Sequence, residues 1–386
     1  MRSLIFIIIL SFGVSASVSK MGPTKRVYET IEFSDDLNFD KMIQAIDRQI
    51  EQFSKLSNLK TKFKLGTLFY TRQNLKDSLV TFKQLVVDAK TCLLTEASEI
   101  CYRNLSDKVN KEFAVYKPKP AQNEAGYATG QTLFTSYYSP DLDGSKVKTE
   151  VYKNPIYAMP KKAELRGLSR EQIDYDGKLS GMNLELFYVK ESHYDIWLLH
   201  VEGGGRVKVT NEDGTNSYFY LSYAGTNKLK FNMIYKYMNE HGMLEPGKTS
   251  ISHQRQYLED NPADERAVMS SCPSYVYFKV THDEPLGVRN IPLTENRSLA
   301  TDYRKYQEYG LINFIQTKKP VNLNEAGEVV TEEFSRFMIN QDTGGAIKGN
   351  ARSDLYFGFG KKAEFVANHL MFLGNQYFLI KKNEEK

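Results

Sequence analysis

The first third of the chain has the hydrophobic spacing of amphipathic helices. From Asp40 to Leu56, apolar residues recur every three or four positions with charged residues between them. The pattern returns from Leu75 to Val86, after a break at Gly66. Because a helix brings residues three and four apart onto one face, both segments are predicted to be helices that bury one side in a core.

From Gln131 onward the pattern changes to short runs of β-branched and aromatic residues, which are separated by turn pairs such as Asp143-Gly144. Such runs predict strands. The segment Trp197–Val209 is interpreted as a strand, a glycine turn and a second strand. A pair of helices is predicted between residues 231 and 261, and the chain is predicted to end on a strand. Periodicity therefore predicts a mainly β protein with helices.

The first sixteen residues have the pattern of an export signal. Arg2 precedes the apolar run Leu4–Phe12, and the small residues Val14-Ser15-Ala16 follow as a cleavage site. This run is short for a membrane span, so a cleaved signal is predicted at residues 1–16 and no stable membrane span. Because no cysteine follows the run, the usual lipoprotein site is missing. The mature protein is therefore predicted to be periplasmic and not lipid-anchored.

Composition sets broad limits on the function. The chain has 386 residues, 41% of them hydrophobic and 25% charged, which is ordinary for a globular protein of two domains. The formal charge of +4 is too small to indicate a nucleic acid as partner, although it is compatible with an anionic polymer.

The three cysteines allow two interpretations. Cys92 and Cys101 are close in sequence and would pair in an oxidising compartment, leaving Cys272 free. Alternatively, all three are small buried residues without a bond between them.

The candidate chemistry is concentrated in one stretch near the C-terminus, Gln341–Gly360. Asp342 and Asp354 bracket a glycine-rich turn that holds one cation. Glycines permit positive φ and let a ligand approach the backbone, so two flanking carboxylates would suit a sugar-sized substrate. The same aspartates would also suit an ordinary turn, closed by an Asx hydrogen bond. The turn residues concerned are Gly344, Gly345, Lys348 and Gly349.

Nucleotide and metal chemistry find little support in the sequence. The segment GGAIKG lacks the spacing of a phosphate-binding loop, and no Rossmann glycine pattern follows a strand. The six histidines are scattered, and no calcium-binding or zinc-binding spacing is present. No cofactor and no metal are therefore predicted.

Several motifs carry a resemblance to a known family. The segments DTGGAIKG and SDLYFG resemble the signature of the 3D domain, which is named for three aspartates. The segments FTSYYSP, NPIYAMP, VEGGGRV, SYAGTN and CPSYVYFK resemble motifs of the membrane-bound lytic murein transglycosylase A family. The resemblance covers most of the mature chain. It makes Asp302 the first of the three aspartates, and it puts Glu202 where the family has a glutamine.

The resemblance implies a specific domain organisation. A double-psi β-barrel first domain would combine residues 17–138, with the N-terminal helices, and residues 281–386. A second β-rich domain, residues 139–280, would be inserted between these parts. The cleft between the domains would hold a glycan strand of peptidoglycan, the expected partner, and the protein is expected to be a monomer.

The implied reaction is cleavage of the β-1,4 bond between N-acetylmuramic acid and N-acetylglucosamine without water. Attack by the muramoyl 6-hydroxyl would leave a 1,6-anhydro end. Asp354 matches the family's general acid, and one carboxyl can then serve as acid first and base afterwards. This requires a raised pKa, from burial or from a like charge such as Asp342.

The other candidate residues have supporting or binding roles. Asp302 and Lys348 are expected to support the catalytic pair. The expected substrate-binding residues are Tyr137, Tyr138, Glu202, Ser222, Tyr223, Ala224, Gly225, Gly344 and Gly345.

Two other functions remain open at the level of sequence. One is an inverting hydrolase, in which two carboxylates act with a water between them. The other is a non-catalytic peptidoglycan-binding protein that keeps the fold. Product analysis separates the three, since they yield anhydro ends, reducing ends or no cleavage.

Overall fold

The computed structural model describes residues 23–281 and 284–382, so the predicted export signal at residues 1–16 lies outside the described residues. Within that part of the chain, no helix is both long enough and apolar enough to cross a membrane.

The strands of the described residues fall into three sheets. In chain order they are β1 (Thr24–Val27), β2 (Lys62–Leu65), β3 (Leu68–Thr71), β4 (Phe113–Pro118), β5 (Thr132–Ser139), β6 (Asp141–Ser145), β7 (Asn154–Tyr157), β8 (Glu185–Val189), β9 (Gly204–Thr210), β10 (Asn216–Thr226), β11 (Val276–Thr281), β12 (Ser298–Thr301), β13 (Ile312–Leu323), β14 (Val329–Asp342), β15 (Arg352–Phe359) and β16 (Met371–Lys381).

The described residues also form helices, most of which connect the strands. They are α1 (Met42–Ser54), α2 (Arg72–Cys92), α3 (Ser98–Glu112), α4 (Ala163–Arg166), α5 (Arg170–Asp174), α6 (His193–Glu202), α7 (Ile234–Glu240), α8 (Ile251–Asp260), α9 (Glu265–Ser270) and α10 (Gly360–His369), with 3₁₀ turns at Pro262–Asp264 and Val288–Asn290.

A closed six-stranded barrel forms the centre of the fold. Its strands follow the order β16, β13, β14, β12, β15 and β5, and β5 pairs back to β16 to close the ring. The pairs β12–β14 and β15–β5 are parallel, whereas β13 is antiparallel to both its neighbours. The strands β4 and β1 extend the sheet from β16. This architecture agrees with the fold class predicted from the sequence.

The second large sheet has the order β11, β10, β9, β6, β8 and β7. All its strands come from residues 141–281, whereas the barrel strands come from both sides of that interval. This segregation supports the inserted domain, and the boundaries at residues 139 and 280 remain a prediction.

The two predicted N-terminal helices are present as α1 and α2, and they pack on the barrel. Their apolar faces share one core cluster with the barrel strands, in which Ile46 and Leu79 meet Phe314 and Phe337. The hydroxyl of Thr71 caps α2 by accepting the N–H of Asn74.

The cysteines follow the first of the two interpretations. Cys92 and Cys101 form a disulfide between the end of α2 and the start of α3, and Cys272 is a free, buried thiol. The interpretation without a disulfide is therefore wrong for Cys92 and Cys101.

A buried ion pair joins the N-terminal segment to the barrel. The side chains of Arg297 and Asp35 are both 0% exposed. The guanidinium donates to both carboxylate oxygens at 2.6 and 2.9 Å, and to the carbonyls of Asp40 and Phe337. Because the guanidinium contacts acceptors in residues 35–40 and also in β14, this pair fixes the position of residues 35–40 against β14.

One predicted element is wrong. The segment Trp197–Val209 was expected to begin with a strand, yet residues up to Glu202 belong to the helix α6. Ser192 caps the start of this helix, and Gly203 ends it with a φ of 73°. Its apolar run packs against two core clusters on opposite sides. A helix buried on both sides lacks the amphipathic period, so the pattern resembled a buried strand.

Candidate active site

The first candidate carboxyl, Asp354, lies near the start of β15 beside the parallel strand β5. The register pairs Asp354 with Thr135. The Thr135 hydroxyl donates to Asp354 Oδ1 at 2.6 Å. Burial raises the pKa of Asp354, and the Thr135 hydrogen bond and the nearby charge of Arg352 only partly oppose this. The carboxyl is thus held in one orientation and retains its proton to a higher pH than an exposed aspartate.

The second carboxyl, Asp342, ends β14 on the other side of the turn. The Tyr137 hydroxyl donates to its Oδ2 at 2.8 Å, and the Thr343 N–H donates to its Oδ1 at 2.8 Å. Burial raises the pKa of Asp342 to about 6, against these two hydrogen bonds and with help from the charge of Asp354. The two aspartates that bracket the glycine turn are therefore electrostatically coupled, as the sequence suggested.

A third carboxyl, that of Glu202, lies near the two aspartates and comes from the helix α6. Glu202 is the last residue of α6, and the nearby backbone N–H of Tyr138 acts to lower the pKa of its carboxyl. Burial raises the pKa of Glu202 to about 8, and the charges of Asp354 and Glu364 add to the effect. Near neutral pH this side chain is a neutral carboxylic acid.

The strand β5 connects these three carboxyls. Its side chains at Thr135 and Tyr137 hold the two aspartates, because residues two apart share one face of a strand. Its backbone at Tyr138 lies near the Glu202 carboxyl. The site is therefore assembled by one barrel strand that lies against both the glycine turn and the end of α6.

The Tyr137 ring also contributes an aromatic surface. Its centroid lies 5.1 Å from that of Tyr356, the neighbouring residue on β15. The Tyr138 ring points elsewhere: it is buried and lines a separate cavity of about 440 Å³ with Glu364 and Arg255. The two tyrosines predicted together thus face different surroundings, and only Tyr137 contacts a candidate catalytic group.

Asp302 lies outside this group of three carboxyls. Its Oδ1 accepts from the Arg304 side chain at 2.7 Å, and its Oδ2 accepts from the Gly349 N–H at 2.7 Å. Burial acts to raise the pKa of Asp302, but these hydrogen bonds outweigh it and lower the pKa below its usual value. Asp302 therefore remains ionised and anchors the glycine turn.

The glycines of the turn have different conformational roles. Gly344 and Gly345 were expected to be important because glycines permit positive φ. Neither residue adopts positive φ. Gly349 does, at +116°, and a Cβ there would lie 2.8 Å from the Glu124 carboxyl carbon. At Gly345 the corresponding space is open, so its backbone is accessible to a ligand.

The motif Ser222–Gly225 lies on β10, beside the strand that follows Glu202. Ser222 pairs with Gly204, two residues after Glu202, and its hydroxyl contacts that of Thr281 at 3.1 Å. A bulge interrupts the pairing between Tyr223 and Gly225, and Tyr223 is exposed. This segment belongs to the second large sheet and lies beside the site, but it does not contact the aspartates.

Two residues that sequence reasoning missed are Thr135 and Arg352. Arg352 Nη2 donates to Thr135 Oγ1 at 2.8 Å, so both act on the environment of Asp354. The only local signal was the spacing of Arg352 and Asp354, which places them on one face of a strand. Among the residues that the structure describes, no cluster of three or more His, Cys, Asp and Glu side chains could hold a metal ion.

Comparisons of sequence find two known domains in the chain. Residues 133–279 match the MltA specific insert domain, and residues 297–371 match the 3D domain. Membrane-bound lytic murein transglycosylase A of Vibrio cholerae is 32% identical over 293 residues, which cover 73% of this chain and 77% of the relative. The protein of the same name from Escherichia coli K12 is 30% identical over 244 residues, 63% of this chain and 64% of the relative.

Comparisons of structure confirm the fold. E. coli MltA with bound chitohexaose has a TM-score of 0.67 at 23% identity, covering 94% of this chain and 95% of that chain. A membrane-bound lytic murein transglycosylase from Agrobacterium tumefaciens has a TM-score of 0.65 at 24% identity, covering 89% and 93%.

Proposed function

We propose that Asp354 is the general acid and base of this chain, which belongs to the membrane-bound lytic murein transglycosylase A family. The protein is a peptidoglycan-cleaving lytic transglycosylase. The observation that carries the assignment is the position of Asp354: it is held by Thr135, is coupled to Asp342 and Glu202, and has a raised pKa.

The proposed mechanism uses one carboxyl group twice, first as an acid and then as a base. Neutral Asp354 donates its proton to the glycosidic oxygen, and the bond between that oxygen and the muramoyl C1 breaks. The Asp354 carboxylate then accepts the proton of the muramoyl 6-hydroxyl as its oxygen bonds to C1. The products are a free hydroxyl on N-acetylglucosamine and a 1,6-anhydro-muramoyl end, and the acid returns to its protonated form.

The neighbouring groups have electrostatic and positioning roles in this proposal. Asp342, held by Tyr137 and Thr343, places a partly ionised carboxyl near the positive charge that develops at C1. The accessible backbone at Gly345 and the Tyr137 ring would contact the sugar. Asp302 supports the glycine turn from the opposite side through the Gly349 N–H, whereas the Lys348 ammonium has no bonded partner among the described residues.

The reaction is tested by the chemistry of the new end. Murein digested by the purified protein is expected to release muropeptides with 1,6-anhydro-muramic acid, one water lighter than hydrolysis products. Mass spectrometry after digestion in ¹⁸O-labelled water checks this, because water is not the nucleophile. Label at the new end would instead identify an inverting hydrolase, and no released product would identify a binding protein.

Glu202 gives a second test, because it occupies the glutamine position of the family. A neutral carboxylic acid offers one donor and one acceptor, as an amide does. Glu202→Gln is therefore expected to keep wild-type cleavage near neutral pH. Above about pH 8 the ionised Glu202 of the wild type repels the Asp354 anion and keeps Asp354 protonated to higher pH, so the activity of Glu202→Gln should fall at a lower pH than that of the wild type.

The ratio of the two activities against pH measures this difference in the titration of Asp354. Glu202→Met has a similar size but no hydrogen-bonding group for the Tyr138 N–H, and it should lose activity at every pH. A loss of more than about tenfold for Glu202→Gln near neutral pH would show that an amide cannot replace the carboxyl group.

We also propose that the protein acts in the cell envelope. Its relatives are named membrane-bound, and the Cys92–Cys101 disulfide is typical of an oxidising compartment. More specifically, we expect that the signal at residues 1–16 is cleaved, that no lipid anchor is attached, and that the protein is a monomer in the periplasm. The intact mass of the mature chain tests it, since an attached acyl group would contradict it.

A further inference from the structure

A second cavity, of about 500 Å³, lies next to the proposed active site at the start of β5 and β15. Four cationic side chains and two carboxylates line it, so it has an excess of positive charge. We call it the cationic cavity, and its charged residues are Arg304, Lys305, Lys348, Arg352, Glu124 and Asp302.

Both carboxylates of the cationic cavity are already engaged. Asp302 accepts hydrogen bonds from the side chain of Arg304 and from the Gly349 N–H of the glycine turn. The Glu124 carboxylate accepts the N–H groups of Asn350, Ala351 and Ala121 at 2.6–3.0 Å. These acids hold the wall of the cavity in place and are poorly available to a positively charged ligand.

The lysines, in contrast, are available. Lys305 and Lys348 are exposed, and within residues 23–281 and 284–382 neither ammonium group has an ion pair or a hydrogen bond. Arg304 is occupied by Asp302 and by the carbonyl of Ile347. The unoccupied charge of the cavity is therefore cationic and suits a carboxylate or another anion.

The position of the cavity relates it to the chemistry. Arg352 lines the cavity, and Asp354 is two residues further along the same face of β15, a distance of about 6–7 Å. Arg352 also donates to Thr135, which in turn donates to Asp354 Oδ1. An anion bound beside Arg352 would thus lie within the length of a sugar substituent from the scissile bond.

Resting on the proposed function, we infer that the cationic cavity binds the carboxylates of the peptide stem carried by muramic acid. The stem is attached through the lactyl ether on the same sugar whose C1 reacts at Asp354. Its free carboxylates give it negative charge, which complements Lys305 and Lys348. Bare glycan keeps only the lactyl carboxylate on each muramic acid and lacks the carboxylates of the stem, so the cavity favours peptide-bearing strands over bare strands.

A bound carboxylate would also act on the catalytic acid. The Arg352 charge lowers the pKa of Asp354, and an anion beside that guanidinium would offset the effect. Occupation of the cavity thereby favours the protonated form of Asp354, which the first step of cleavage requires.

The test compares two matched substrates: murein strands that keep their peptides, and the same strands stripped by an amidase, which leaves the lactyl carboxylate on the sugar. For the wild type, kcat/KM is expected to be higher on the peptide-bearing strands. In the double variant Lys305→Gln, Lys348→Gln the ratio of the two kcat/KM values should fall by about 3- to 10-fold, mainly through KM, as expected for two partly exposed charge pairs. Higher salt should reduce the wild-type ratio in the same direction.

A double variant with the same change in charge provides the control. Lys60→Gln, Lys148→Gln replaces two exposed lysines outside the cavity and should leave the ratio unchanged. A cavity variant with the wild-type ratio, or a wild type that prefers bare strands, would overturn the inference. If no anhydro product forms from either substrate, the proposed function itself fails, which is a different result.

Discussion

Replacing Asp354 by asparagine is expected to reduce murein cleavage by about ten-thousand-fold or more. The amide has nearly the same shape and still accepts the hydrogen bond from Thr135, so folding and glycan binding should persist. It cannot donate a proton to the glycosidic oxygen and recover one from the 6-hydroxyl. General acid–base catalysis contributes about a hundred- to ten-thousand-fold, and a group used in both steps belongs at the upper end. Release of anhydro-muropeptides by the folded variant measures the loss.

The matched comparison is Asp342→Asn, which should be milder. Repulsion between the two carboxylates is mutual, so neutralising Asp342 makes the Asp354 anion easier to form and lowers the pKa of Asp354. Asp354 then loses its proton at lower pH, and the optimum for cleavage shifts downward. Activity measured against pH shows both effects. Near-wild-type activity in Asp354→Asn beside an inactive Asp342→Asn would transfer the role of general acid to Asp342.

The second large effect concerns stability. Arg297→Met is expected to lower the free energy of unfolding by about 3–5 kcal/mol, because it leaves the Asp35 carboxylate buried without its counter-charge. The carbonyls of Asp40 and Phe337 lose a donor as well. Urea denaturation, followed by a probe in the barrel, measures the change.

The double variant Arg297→Met, Asp35→Leu separates charge from packing. Removing both charges should recover part of the loss, since no unpaired ion remains in the core. A single variant that loses less than about 1 kcal/mol would indicate that water reaches Asp35, in conflict with its complete burial.

The secondary structure was predictable where one face of an element is exposed. The helices α1 and α2 show the period of an amphipathic helix, and the strand predicted at the end of the chain is present as β16. The helix α6 was misread because it is buried on two sides and has no polar stripe. The helices α3 and α10 were not predicted from the sequence at all.

The candidate site was predictable in its residue types and only partly in its arrangement. Asp342 and Asp354 stand in one motif, and the resemblance to the family identified Glu202 as a carboxyl in place of an amide. Thr135 and Arg352 are not marked by any motif. Their importance follows from the parallel pairing of β5 with β15, which joins residues more than 200 positions apart.

By itself, the sequence determined the family, the class of fold and the acidic groups available for the reaction, because these depend on local motifs and periodicity. Tertiary structure alone decided which groups interact: that β5 holds Asp354 and Asp342 and lies near Glu202, that Asp302 anchors a turn, and that Lys348 lines a cationic cavity. The physical reason is that burial and neighbouring charge set the pKa and the role of a carboxyl. Both arise from contacts between segments that are distant along the chain.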